Sequence, residues 1–330
     1  MTETASILPG EQAPEGFSYR PARPDELSAC AEVWRDGIND YTRRLNQPDV
    51  PPETASLIRL YAHLQSTDPE RFVVATLPAA EPGGEERVVA FAAALMRERL
   101  WFLSMLFVRP ELQGAGLGRA LLERVAPADG EASFRSTATD SAQPISNALY
   151  ASQGIVPRVP LLNLIGVPQE PDAFGTLPSG IVPVAFADLA GRPGSDGHQR
   201  LADDVDALDR EVLGVAHPAD HRFLRQESRT GWLYRGPDDA VVAYGYATEA
   251  GRIGPVAVRD PELLAPILGH LSSAVTPRGA FALWLPGTAD RAIVPALRAG
   301  FRLDQFPVLL CWDRPFADLE RYLPISPGLP

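Results

Sequence analysis

Between Leu103 and Leu122 an apolar stretch ends in Val108-Arg109-Pro110 and passes into a helical pattern through a loop bearing Gly114, Gly116 and Gly118. Glycines at such a junction let the main chain approach a ligand closely, and the free N–H groups at a helix start attract an anion. The combination reads as a cradle for a pyrophosphate. It is not the dinucleotide fingerprint, because the last glycine of that pattern would fall on Arg119. Nor is it a P-loop, which needs a lysine that this loop lacks.

The flanking elements must hold that turn in place. Residues 17–23 are predicted as a strand, and Asp25 as the N-cap of a helix carrying Leu27, Cys30, Ala31, Trp34 and Ile38 at spacings of three and four. A helix is expected near 53–65, strands at 71–77, 87–96 and 100–108, and a Pro/Gly/Glu turn at 79–86. The cradle helix, 114–125, presents Leu117, Ala120, Leu121 and Val125 on one face. A strand at 133–139, a short helix at 144–152 and a closing strand at 160–165 complete the half. After a Pro/Gly-rich stretch at 167–180 the order of elements recurs: strands near 181–186, 232–234, 241–248, 253–258, 280–285 and 301–312, with helices at 198–212, 261–275 and 291–299. Val108-Arg109-Pro110-Glu111-Leu112 and Val258-Arg259-Asp260-Pro261-Glu262-Leu263 read as one junction written twice. The organisation expected is a flexible N-terminus (1–16), a first copy (17–166), a linker (167–180) and a second, diverged copy (181–330).

Gln113, Gly116 and Gly118 after a Val-x-Pro strand end form Q-x-x-G-x-G, which resembles the acetyl-CoA motif of the GCN5-related N-acetyltransferases, the GNAT superfamily. Asn147-Ala-Leu-Tyr150-Ala-Ser-Gln-Gly154-Ile155 resembles the second motif of that superfamily, with Ile155 where an aromatic residue is frequent. The resemblance implies an α/β fold of two GNAT-like units, each a central mixed, mostly antiparallel sheet flanked by helices. It implies that acetyl-CoA lays its pantetheine arm along Leu106, Phe107 and Val108 while the N–H groups of Gly114, Ala115, Gly116, Leu117, Gly118 and Arg119 hold the pyrophosphate. Tyr150 is then the candidate acid that protonates the departing thiolate, and Asn147, one turn earlier, can hydrogen-bond the cofactor arm. The activity implied is N-acetylation of a small-molecule amine. Two alternatives stay open: a non-catalytic acyl-CoA sensor or scaffold, and a peptide or protein N-terminal acetyltransferase.

The general base is open among Glu32, Asp36, Glu98, Asp140 and a water relay, since the strand 100–108 carries neither acid nor histidine. Trp34, Tyr41 and Tyr61 lie on the two early helices, which in this superfamily border the acceptor pocket, and core packing accounts for at least Trp34 equally well. Aligned at Val108 and Val258, the second copy sets Leu263, Pro266 and Leu268 opposite Gln113, Gly116 and Gly118, and Ala296 opposite Tyr150. Proline offers no N–H to a phosphate, so only the first copy is expected to bind the cofactor. Tyr244 and Tyr246 of the second copy read as core, with a contribution to the acceptor wall as the other reading. His217 and His221 are four apart, but Pro218 intervenes and no third ligand stands out, so no metal is expected. Asp203, Asp204, Asp206 and Asp209 read as the wet face of a helix.

Composition narrows the classes further. All 30 basic residues among the 330 are arginine. The absence of lysine rules out P-loop NTPases, kinases and pyridoxal enzymes, and codon bias in a GC-rich genome accounts for it. A net charge of −12 without a basic patch argues against nucleic acid and suits a cationic substrate. The longest apolar run, Val88 to Met96, has nine residues, too few to span a bilayer. No signal peptide or disulfide framework is expected, so the chain reads as cytoplasmic. A homodimer is compatible with the sequence.

Overall fold

The computed structural model describes residues 14–78, 86–190, 195–304 and 306–330. Most of the N-terminal stretch 1–16 and of the turn at 79–86 therefore lies outside the described residues. The chain divides into two compact units, residues 1–95 with 105–126 and residues 96–104 with 127–330. Neither boundary falls within 167–180.

In the first unit, β1 (Ser18–Pro21) pairs antiparallel with β2 (Phe72–Leu77), and β2 with β3 (Arg87–Arg97). Residues 72–76 and 88–95 are buried without alternation, as expected of strands covered on both faces. α1 (Leu27–Arg44) packs on α2 (Ala55–Thr67), which sets Tyr61 against β2 and β3. Asp25 does not cap α1, because residues Pro24–Glu26 form a 3-10 turn. Glu26 stands at the N-cap position without a side-chain bond to α1; its carboxylate turns back to accept the Arg23 N–H at 2.8 Å and two bonds from the Arg20 guanidinium at 2.6 and 2.8 Å. Those bonds, Arg20 foremost, hold the Glu26 carboxyl down at about 2. β4 (Leu100–Val108) ends in this unit and leads to α3 (Leu117–Val125), which buries Leu117, Ala120, Leu121 and Val125 as its periodicity predicts. Tyr61 is wholly buried, with ring centroids 5.7 Å from Phe72 and 5.3 Å from Phe91. It is a core residue and not a pocket wall. Trp34 is the half-buried one, edge-on to Phe107 at 6.5 Å.

In the second unit the first residues of β4 pair in parallel with β5 (Phe134–Asp140), from Leu100↔Phe134 to Leu103↔Thr137. α4 (Pro144–Ser152) leads to β6 (Val156–Gly166), and β7 (Val182–Ala185) opens the second copy. Helices α5 (Phe186–Ala190), α6 (Asp196–Val212) and α7 (Pro218–Gln226) follow. β8 (Thr230–Arg235), β9 (Val241–Thr248) and β10 (Arg252–Val258) make an antiparallel meander continuing from β7. α8 (Leu264–Ala274) leads to β11 (Phe281–Pro286), parallel to β10, and α9 (Asp290–Arg298) to β12 (Arg302–Leu303). The strand predicted at 301–312 is thus split into β12 and β13 (Val308–Trp312), and β14 (Tyr322–Leu323) follows.

The last strands of the two copies are exchanged. β13 of the second copy lies between β5 and β6 of the first, antiparallel to both, while β6 crosses to pair with β11. β14 pairs with β10 through Val256↔Leu323 and Ala257↔Tyr322, on the edge that β11 shares only at Arg252↔Ala282. The fold is mixed α/β with mostly antiparallel strands, and two GNAT-like units are recognisable in its element order. No described helix is long and apolar enough to cross a membrane. One reading of the acids is corrected: Asp209 shares the face of Leu201, Val205, Leu208 and Val212 and is fully buried.

The Tyr61 hydroxyl is buried with no hydrogen-bond partner. Removing an unsatisfied buried hydroxyl relieves a desolvation cost, so Tyr61→Phe should leave stability unchanged or raise it by about 1 kcal/mol. Denaturant unfolding measures this, and a loss of stability would mean that the hydroxyl has a role the packing does not reveal.

Candidate active site

β4 is brought to its end by Pro110, which opens a 3-10 turn at Pro110–Leu112. Gly114 (φ +84°) and Gly116 (φ +83°) then take left-handed conformations that cost other L-residues about 1–2 kcal/mol. Gly116 is the N-cap of α3 and has no side chain to bond the helix start. The first N–H groups of α3 consequently have no acceptor within their own helix. Gln113, Gly114, Ala115 and Gly116 are exposed, Gly118 and Arg119 half-buried, and Leu117 anchors the turn in the core. A Cβ at Gly114 would meet nothing within 4 Å, and at Gly116 only the Pro14 ring at 3.4 Å. Among the described residues beyond the chain neighbours, nothing but the Pro14 ring lies within 4 Å of a Cβ at either position. The Gln113 side-chain amide donates to the Val108 carbonyl at 3.2 Å, tying the loop to the strand end. Leu106, Phe107 and Val108 lie beyond Leu103, the last β4 residue in register with β5.

Asn147 and Tyr150 are carried by α4 in the second unit. The Asn147 amide donates to the carbonyls of Asp140 at 3.0 Å and Gln143 at 2.8 Å, so its nitrogen secures the start of α4. Its Oδ1 is buried with no hydrogen-bond partner and is the atom left to accept from a ligand. Tyr150 is buried, and burial, with a smaller push from Cys311, raises its phenol well above the ordinary range. It remains protonated at physiological pH and suits the donor role.

Each base candidate has a partner. Asp36 accepts from the Arg109 guanidinium at 2.6 Å, and Glu32 lies 3.9 Å from the same group. Glu98 sits in the turn after β3 with φ +49° and accepts from Arg210 at 2.8 Å. Asp140 accepts the Ala142 N–H at 2.8 Å. Tyr41 is half-buried, whereas Tyr244 and Tyr246 are core residues. Sequence reasoning passed over Ser104, whose hydroxyl donates to the Gly328 carbonyl at 2.6 Å and ties the buried tail after β14 to β4. Its signal was a lone hydroxyl in an otherwise apolar strand.

Residues 34–155 match the acetyltransferase (GNAT) family. No curated protein matches the chain. Among solved structures, a Pyrococcus horikoshii protein assigned as an acetyltransferase aligns over 99% of this chain and 100% of its own, with a TM-score of 0.71 at 13% identity. A GCN5-related N-acetyltransferase from Sphaerobacter thermophilus aligns over 94% and 100%, with a TM-score of 0.58 at 18% identity. A tandem GNAT protein from the clavulanic acid biosynthesis pathway aligns over 91% and 99%, with a TM-score of 0.50 at 14% identity. At these identities the structures speak for the fold, and the match over 34–155 speaks for the family. With the glycine loop after β4 and the Asn147–Tyr150 helix in order along one segment, residues 34–155 are similar to the GNAT family, and the whole chain shares the fold of solved tandem GNAT proteins.

Proposed function

We propose that the protein is an N-acetyltransferase that moves an acetyl group from acetyl-CoA to the primary amine of a small molecule by direct attack. The observation that carries this reading is the exposed loop Gln113–Gly116, whose left-handed glycines leave the α3 N–H groups free for a pyrophosphate. The amine attacks the thioester carbonyl, and the carbon–sulfur bond breaks as the adduct collapses. One proton leaves the nitrogen and one reaches the sulfur. Tyr150 supplies the second, because its raised phenol is a donor at working pH. The ion pairs made by Glu32, Asp36 and Glu98 favour a water relay for the first.

Residues 17–166 are read as the catalytic copy and 181–330 as a degenerate one, joined through 167–180. Two features support a single cofactor site. The 3-10 turn Pro261–Leu263 runs straight into α8, so Leu263–Pro266, opposite the loop Gln113–Gly116, are helical, with Leu263 and Leu264 buried. β14 also occupies the edge of β10 that corresponds to Leu106–Val108. The acidic chain, at −12, suits a cationic acceptor.

Gly116→Glu sets a negative side chain where the pyrophosphate belongs. Acetyl-CoA affinity should fall at least tenfold while circular dichroism reports an intact fold; an unchanged affinity in the folded variant removes the cradle assignment. Tyr150→Phe deletes the proton donor and little volume. Its kcat should drop by about 10²- to 10⁴-fold with acetyl-CoA affinity nearly constant. An undiminished kcat, with chemistry rate-limiting, excludes the role.

A further inference from the structure

A second constellation lies where α6 meets α7. Asp209 is on the last turn of α6, His217 is the N-cap of α7, and His221 is one turn further along. Pro218 does not separate the two histidines; as the first residue of α7 it starts the helix that places them side by side. The third ligand missing from the sequence reading is Asp209, brought in from the preceding helix. All three side chains are buried.

Their donor atoms converge. Asp209 Oδ2 lies 3.2 Å from His217 Nε2 and 2.8 Å from His221 Nε2, and the three donors lie within 4.8 Å of one another. A tetrahedral ion with bonds of about 2.0–2.1 Å sets its ligands about 3.3 Å apart, which the Asp209–His217 edge matches and the hydrogen-bonded Asp209–His221 edge reaches by opening about 0.5 Å. The far side of each ligand is also held. The Tyr244 hydroxyl donates to Asp209 Oδ1, and the Tyr246 hydroxyl lies 3.0 Å from His221 Nδ1. His217 Nδ1 faces Asp220 Oδ2 at 3.5 Å, and Asp220 accepts two bonds from Arg97 at 2.7 and 2.8 Å. An outer shell of carboxylate and hydroxyl partners is what orients metal-binding imidazoles.

His217 Nδ1 is buried with no hydrogen-bond partner. Coordination through Nε2 would fix the proton on Nδ1, aimed at Asp220. Asp209 offsets one of the two charges of a divalent cation there, while Asp220 is paired with Arg97.

We propose that Asp209, His217 and His221 bind a structural Zn²⁺ ion. The Tyr322 hydroxyl, 3.4 Å from His217 Nε2, is the further donor at hand for a fourth position. Two imidazoles and one carboxylate suit zinc, and complete burial marks a closed site rather than a reactive one. The ion pins α6 to α7 beneath β9 and β14, and acts independently of acetyl transfer.

The test uses the untagged full chain, stripped with a chelator, supplied with Zn²⁺ alone and freed of excess by gel filtration. Elemental analysis should find one Zn²⁺ per chain, and the melting temperature should rise on loading. Co²⁺ in its place should give the visible absorption of a tetrahedral site. His221→Gln and Asp209→Asn should retain only traces, and Asp220→Asn should weaken binding by about 10- to 100-fold. Substoichiometric zinc with an unmoved melting temperature in the parent chain overturns the proposal, whether or not the variants fold. So does stoichiometric iron in place of zinc, or full zinc retention by folded His221→Gln.

Discussion

The exchange of final strands between the two copies is the constraint on which the rest of the second unit depends. β13 lies between β5 and β6 with hydrogen-bonded neighbours on both edges, so the first copy cannot complete its sheet from its own sequence. β6 in turn closes the second copy by pairing with β11 over six residues, Phe281↔Gly166 to Pro286↔Leu161. The far end of β13 is locked by Asp313, which accepts the Arg135 main-chain N–H at 2.9 Å and its side chain at 3.1 Å. The Ser136 hydroxyl adds a bond to the Cys311 carbonyl at 2.9 Å. Sheet edges left open are liabilities, and this arrangement closes two of them reciprocally. It also explains why the compact units do not divide at the Pro/Gly-rich stretch 167–180.

A duplicated scaffold with one altered junction accounts for the asymmetry between the copies. Both junctions leave a strand through a proline-started 3-10 turn. In one, four residues with two left-handed glycines intervene before the helix; in the other, the helix begins at once. A loop exposes N–H groups, whereas a continuous helix consumes them. The apolar run Leu264, Ile267, Leu268 and Leu271 then spends that position on core packing. β14 completes the change by bonding to the exposed edge of β10, and Leu323 joins the same core.

Much of this was legible in the residues. Periodicity marked α3 and its buried face, and the glycine pattern marked the left-handed loop before it. The strand exchange was not legible, since a strand's own alternation does not name its neighbour. Tyr61 and Trp34 changed places because both occupy apolar positions on amphipathic helices, and only packing decides which is sealed. Asp209 carried a signal that charge counting hid: it stands four residues after Val205 and one after Leu208, on the apolar stripe of α6. An acid in that position is buried, and a buried acid demands partners. His217, His221 and Tyr244 are those partners.

The central claim is that one copy kept the cofactor site and the other converted its counterpart to core and strand. Calorimetric titration of the full chain with acetyl-CoA tests it most directly. The account predicts a single binding event with one acetyl-CoA per chain. Two acetyl-CoA molecules per chain would contradict it.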